Sequence, residues 1–394
     1  MRHIIVLLSL SVAVVACRPV SSEVTDVPPA VTPSPDLTSY RLPDPTGPYA
    51  VGHLRFSQVD ASREEIHSSQ PGDQRDLLME VWYPAETSSD AEPALYMAEP
   101  LAAALDLDPL INQTFAHALE DALLLSGSDP LPVVIFNDGY TGLPTGYTAL
   151  LEEYASHGYV VATTSHPYAD ELALLSDGTV VPYPGDEAFL AALGTDDPFG
   201  AETYLNWIPD TIALLHALDR LNGEMFEDRL VLDRLAFVGH SFGGGVSAET
   251  CRILADRCVA AINLDGSHPQ RLRQVGMPLP YLYLAAGEGR VAASPELQQV
   301  ISTAQSPMTV VEIAGATHFG FGDGYYVWQV YGQPDDVPAD HFGAIDPLRM
   351  TEIVRAFSLA FLDQHMRSPS DQPSLEVLAD AYPEVTVRVY QPGE

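Results

Sequence analysis

The sequence predicts an α/β fold: a mostly parallel central sheet, helices on both faces, and loop insertions that wall or cover a pocket. Three observations carry this expectation. From about residue 131 onward, short apolar runs alternate with helical stretches, the pattern of parallel strands covered on both faces. A glycine-serine-glycine motif sits where one apolar run meets a small-residue helix start. Two long stretches, 167–207 and 319–344, break the alternation after strand ends, where such folds place their ligands.

The elements follow in chain order. Met1-Arg2-His3 precedes an apolar run from Ile4 to Ala16 that is too short to span a bilayer as a helix. A basic start and a short apolar core read as an export signal. Val14-Val15-Ala16-Cys17 resembles the bacterial lipoprotein signal, in which the chain is cut before Cys17 and the cysteine carries the lipid. The alternative is an ordinary cleaved signal and a secreted protein. Residues 18–48 hold eight prolines and read as an extended linker. A globular domain is expected over 49–368, and 369–394 as a C-terminal extension.

Within the domain, Leu77–Tyr83 reads as a strand ending at Pro84. Residues 86–130 read as loop with short helices over Ala102–Leu107 and Phe115–Leu125. Strands are expected at Leu131–Phe136, Tyr159–Thr163, Leu235–Val238, Val259–Leu264, Leu279–Ala285 and Met308–Ile313. Helices are expected at Thr148–His157, Ile208–Leu221, Gly244–Ala255, Ser294–Thr303 and within Ile345–Met366. Val385–Tyr390 suits a final edge strand.

Composition narrows the function. Eighteen basic residues against 54 acidic ones give a net charge of −36. Scattered cations in so acidic a chain argue against a nucleic-acid partner. No CxxC or spaced His/Asp cluster suggests a metal, and no cofactor is called for.

Gly239-His240-Ser241-Phe242-Gly243 matches G-x-S-x-G, which chance supplies only ~0.1 times in a chain of this length. The strand before it and the helix after it are the setting the motif needs. The flanking glycines are expected to turn the backbone at positive φ and push Ser241 out above the sheet. The helix N-terminus beneath it favours a developing oxyanion. A serine needs a histidine to take its proton and an acid to orient that histidine. In α/β-hydrolases that histidine comes last in the chain. His318, in Gly315-Ala316-Thr317-His318-Phe319-Gly320, follows the last core strand; His268, His341 and His365 suit the role less well. The acid is Asp265 or Glu288, each just past a strand. The oxyanion donors would be the N–H of Phe242 and the N–H of Tyr140, in the loop Asn137-Asp138-Gly139-Tyr140-Thr141-Gly142.

These pieces resemble the plasma-type platelet-activating factor acetylhydrolases and their bacterial relatives. The resemblance runs over residues 75–325. It rests on Val81-Trp82-Tyr83-Pro84, on Ala155-Ser156-His157-Gly158, on Asp233–Gly244 around Ser241, and on Asn263-Leu264-Asp265-Gly266. It implies a carboxylic ester hydrolase with Ser241, His318 and Asp265 as its triad, and tips the choice of acid away from Glu288. It also implies short-acyl esters as substrates, platelet-activating factor-like or oxidised phospholipids among them. One departure stands out: the family usually has His-Gly in the oxyanion loop, and this chain has Asp138-Gly139, a carboxylate that could change pH dependence or acyl preference. A polyester or xenobiotic esterase is the neighbouring reading, and a surface binding protein on a silent hydrolase scaffold is the reading from another class.

Cys251 and Cys258 lie seven residues apart at the end of the helix behind the nucleophile. Export favours a disulfide between them, which requires the helix to end inside the loop.

Overall fold

The computed structural model describes residues 41–87, 91–195, 197–331, 339–367 and 373–393. The signal segment, Cys17 and the linker up to residue 40 lie outside the described residues. The strands are β1 (Ala50–Glu64), β2 (Gln74–Ala85), β3 (Leu119–Glu120), β4 (Leu131–Asn137), β5 (Val160–Thr164), β6 (Leu172–Leu174), β7 (Val180–Pro182), β8 (Leu230–His240), β9 (Cys258–Leu264), β10 (Tyr281–Ala286), β11 (Met308–Ile313) and β12 (Val385–Tyr390).

Ten of these described strands form one sheet in the order β12-β11-β10-β9-β8-β4-β5-β2-β1-β3. From β5 through β11 the pairing is parallel. Antiparallel β12 closes one side, and the β2–β1 hairpin adds antiparallel to β5 on the other. Side-chain alternation splits the core in two. Val133, Ile135, Phe237 and Ala261 face one way, under Leu214 and Leu218 of the helix Ile208–Glu224. Val134, Phe136, Val238 and Ile262 face the other, under Leu151 of Thr148–Ser156 and Phe357 of Pro347–Met366. Burial on both faces is why these strands read as unbroken apolar runs.

Three stretches differ from the expectations. Phe115–Leu125 forms no helix. Tertiary pairing overrides local propensity there: Ala94 N–H bonds the Ala118 carbonyl, Glu120 N–H bonds the Glu92 carbonyl, and Leu119 pairs with Gly52 of β1. The buried Glu152 carboxylate takes the N–H groups of His117 and Ala118 at 2.8 and 2.7 Å. The long strand β1 carries no clear period in sequence, because its outer half, from Ser57, is largely polar and turned to solvent. Residues 41–47 pack on the domain instead of extending away from it. Leu42 is buried, Thr46 N–H donates to Glu153 at 2.9 Å, and the Arg355 guanidinium holds the carbonyls of Pro43 and Asp44 at 2.9 Å each.

The Cys251–Cys258 disulfide is formed, with the Cα atoms 5.3 Å apart. The helix Ser241–Ile253 ends inside the loop and β9 begins at Cys258, which supplies the required reversal.

The first insertion folds as the β6–β7 hairpin, the helices Asp186–Leu193 and Pro198–Glu202, and a wider π-helical turn, Thr203–Trp207, that runs into Ile208–Glu224. Its base is pinned by charge. The fully buried Arg75 of β2 meets Glu65 at 2.5 Å and Asp210 at 2.7 Å. His166 bonds the same Asp210 at 2.9 Å and stacks on Trp207 with centroids 3.7 Å apart. A buried ion pair stands only when its remaining polar atoms are satisfied, and here one aspartate serves Arg75, Arg63 and His166.

Candidate active site

β8 delivers Ser241 at the C-terminal edge of the parallel strands, and the helix Ser241–Ile253 starts on it. The backbone of Ser241 has φ +54°, a conformation that costs a non-glycine residue of order 1–2 kcal/mol. The flanking glycines do not carry this turn, contrary to the expectation from sequence. They are required by space. A Cβ on Gly243 would lie 1.9 Å from the Asp138 carbonyl oxygen, and one on Gly239 would lie 2.3 Å from the Gly243 carbonyl oxygen. The turn is left to the serine, and the glycines let β8, the helix and the loop after β4 converge on it.

Ser241 Oγ lies 2.8 Å from His318 Nε2, and His318 Nδ1 lies 2.8 Å from Asp265 Oδ2. With Nδ1–H donating to the carboxylate, Nε2 is free to accept the serine proton. Asp265 is itself fixed. It sits at φ +49° just past β9, and its Oδ1 takes the Ala286 N–H at 3.0 Å. Arg290 Nε lies 3.5 Å from the same oxygen. Glu288 is exposed in the turn after β10. Of the two acid candidates, Asp265, the one the resemblance favours, is the carboxylate in contact with His318. The other late histidines lie elsewhere: His268 bonds the Tyr281 hydroxyl at 2.9 Å, His341 stacks on Phe319, and His365 packs on Phe361.

The loop after β4 lies against Ser241. A Cβ on Gly139 would be 3.2 Å from Ser241 Cβ. Gly142 N–H closes the turn on the Gly139 carbonyl at 2.7 Å, and Thr141 N–H bonds the Ala169 carbonyl at 2.8 Å. The rings of Tyr140 and Phe242 come within 6.2 Å of each other. Phe242 lies in the first helical turn, whose N–H groups have no intrahelical acceptor.

Sequence reasoning missed three groups here. His240, inside the motif, is buried. It joins Tyr147 to the His318 loop through hydrogen bonds at 2.7 and 2.8 Å. Burial, with the neighbouring His318, pushes its pKa down to about 3. Arg290 was not singled out. Nor were the individual rings of the first insertion: Tyr183, Phe189 and Phe199 pack around Tyr140 at 5.2–5.5 Å, and Trp207 meets Phe242 at 4.9 Å. The aromatic content of 167–207 was the only signal for them.

A family model described as platelet-activating factor acetylhydrolase, isoform II, matches residues 37–177 and 215–381. The chain belongs to that family. Among curated relatives, a protein from Arthroderma benhamiae named probable 1-alkyl-2-acetylglycerophosphocholine esterase is 23% identical over 274 residues, covering 63% of this chain and 66% of its own length. The platelet-activating factor acetylhydrolase of Cavia porcellus is 23% identical over 358 residues, covering 82% and 78%. A solved structure, the ferulic acid esterase of Streptomyces cinnamoneus, superposes with a TM-score of 0.71 at 28% identity, covering 88% of this chain and 99% of its own. This acetylhydrolase-family chain is a carboxylic ester hydrolase with the α/β-hydrolase fold. The family match breaks between residues 177 and 215, and Tyr183, Phe189, Phe199 and Trp207 all fall in that break.

Proposed function

We propose that Ser241, His318 and Asp265 are the catalytic triad of a serine esterase acting on short-acyl esters, among them phospholipids with a short or oxidised sn-2 chain. The observation that carries this is the continuous hydrogen-bonded chain from Ser241 Oγ through His318 to Asp265, 2.8 Å at each step. Ser241 Oγ attacks the ester carbonyl while His318 Nε2 takes its proton. Asp265 holds the imidazole in the accepting tautomer and stabilises the imidazolium. The Phe242 and Tyr140 N–H groups donate to the oxyanion, each such donor being worth about 3 kcal/mol in the transition state. His318 then returns the proton to the departing alcohol. Water, activated by the same histidine, cleaves the acyl-enzyme.

The phospholipid part of the reading is supported by the names of the curated relatives. A second reading, an esterase for aryl or polyester substrates, is favoured by the aromatic wall in the unmatched segment and by the likeness to a ferulic acid esterase. One assay separates them. The chain lacking residues 1–17 is given phosphatidylcholines with sn-2 acetyl or sn-2 palmitoyl, ethyl ferulate and nitrophenyl acetate, with Ser241→Ala as control. Turnover of the sn-2 acetyl lipid and little of the palmitoyl lipid supports the first reading. Ferulate turnover without lipid turnover supports the second. Ser241-independent activity, or none, overturns both.

We further propose export and anchoring by a lipid on Cys17. The signal-like run before Cys17 supports this, as does the Cys251–Cys258 disulfide, a bond typical of oxidising compartments. Incorporation of labelled palmitate that persists in a Cys17→Ser chain would remove the proposal.

A further inference from the structure

Asp138 opens the oxyanion loop and has an unusual setting. It is fully buried, and both carboxyl oxygens lack a hydrogen-bond partner. Its backbone carbonyl packs against Gly243 in the first turn of the nucleophile helix. Its Oδ2 sits inside the turn closed by Gly142 N–H on Gly139, 3.1 Å from where a Cβ on Gly142 would stand. Tyr140 follows two residues later.

The groups facing Asp138 offer no countercharge. The loop after β5 is zipped to the oxyanion loop through Thr141 N–H to Ala169 and Glu171 N–H to Gly142. It presents Asp170, a second fully buried carboxyl with one oxygen unpartnered. Asp138 acts on Asp170 as a like charge. From the turn after the oxyanion loop comes Tyr147, whose hydroxyl is committed to His240, itself buried and neutral. Arg75, the cation that acts on Asp170, is already held by Glu65 and Asp210. A lone carboxylate in such a place is strongly disfavoured, and burial pushes both aspartates well above the ordinary carboxyl range.

We propose that Asp138 serves as a neutral carboxylic acid beneath the oxyanion loop, and that losing its proton switches the esterase off. The inference rests on the Ser241 esterase reading above. A carboxylate two residues from one oxyanion donor, in contact with the helix that supplies the other, would oppose the negative charge that those donors stabilise. Activity then falls on the alkaline side, about tenfold per pH unit past the ionisation. Asp170 is raised in the same way, but Asp138→Asn, which relieves it of a like charge, would move an Asp170 limb down and not up. Few other groups can produce that limb. The chain contains no lysine, Cys251 and Cys258 are bonded, and the Tyr140 and Tyr147 hydroxyls are both pushed up by burial. Asp323 is a raised carboxyl near the His318 loop, at about 7, and serves as the control.

The test is kcat/KM for nitrophenyl acetate from about pH 6 to about pH 10, with Ser241→Ala subtracted as background. The wild-type chain should show the alkaline limb. Asp138→Asn should lose it or move it up by at least about one pH unit, and Asp323→Asn should keep it. Asp138→His, which restores the residue the resembling family carries, should also lose the limb and covers the case in which the asparagine chain does not fold. A flat wild-type profile, or an unmoved limb in Asp138→Asn or Asp138→His, overturns the proposal while leaving the esterase standing. Absence of Ser241-dependent turnover removes both together.

Discussion

His240 Nε2–H donates to the backbone carbonyl of His318 at 2.8 Å, and His240 Nδ1 accepts the Tyr147 hydroxyl at 2.7 Å. The residue just before Ser241 therefore holds the loop that carries His318. The ring stays neutral because burial and His318 push its pKa down to about 3, so one tautomer serves both bonds across the working range. Tyr147→Phe strips the donor and leaves a buried nitrogen unpaired, at a cost of roughly 1–3 kcal/mol. Because small misplacements of a catalytic group are costly, kcat should drop about tenfold with KM little changed. An unchanged kcat in the folded variant would show that the pair is only packing.

Phe199 is half-exposed and packs its ring on Tyr140 and Phe242 at 5.4 and 5.8 Å. It covers the rings of Tyr140 and Phe242, on a segment outside the family match. Phe199→Ala should open this wall. An added methylene in an apolar pocket is worth about 1–3 kcal/mol. The butyrate-to-acetate ratio of kcat/KM on nitrophenyl esters should then rise by at least about fivefold. A ratio that does not move places acyl selection elsewhere.

Two glycines, Gly243 beside Ser241 and Gly146 in the turn Pro144–Tyr147, should respond differently to alanine. At Gly243 the new Cβ would meet the Asp138 backbone carbonyl at 1.9 Å, and the loop after β4 must shift. Gly146 has nothing within 4 Å of its Cβ position and no positive φ. Gly243→Ala should lose at least about a hundredfold in kcat/KM through the displaced loop, while Gly146→Ala stays within about twofold of wild type. Equal effects would mean that close approach at Gly243 does not set the position of the loop after β4.

The parallel strands were legible because both of their faces are buried, so β4, β8, β9, β10 and β11 read as short apolar runs within about two residues, apart from the outer half of β8. Ser241 was legible because its glycines are forced by close approach, and His318 because chain order left one candidate on the right loop. What stayed hidden depends on long-range contact. The residues alone left Asp265 and Glu288 open, because which turn faces His318 is a long-range matter, and only the resemblance favoured Asp265. His240 meets Tyr147 across 93 residues. The strand β1 is written in polar residues because only part of it is covered. The rings around Tyr140 could be counted in sequence but not aimed.

Glu80 of β2 is buried between Arg55 Nε at 2.6 Å and His53 Nε2 at 3.3 Å. Burial alone would raise its pKa, but the Arg55 charge and the His53 contact overcome that and hold it down to about 2. The folded chain thus binds this proton less readily than the unfolded chain, whose carboxyl titrates near the ordinary glutamate value of 4.5. Its stabilisation is complete above about pH 4.5 and is lost as pH falls toward about 2. Lowering from 4.5 to about 2 corresponds to about 3 to 4 kcal/mol at most. His53 adds to the same cluster with the opposite sense: its raised pKa contributes below 6.5 and fades as pH rises past that value. Between these two limits the cluster is charged and paired throughout. In urea unfolding, the wild-type midpoint should drop steeply from about pH 4.5 to about pH 2. Glu80→Gln should be less stable at neutral pH, because it leaves Arg55 uncompensated, and flatter on the acid side. An acid slope as steep in Glu80→Gln as in the wild-type chain would assign acid sensitivity to other carboxylates, with Asp210, held low by Arg75 and His166 against its own burial, the next to replace.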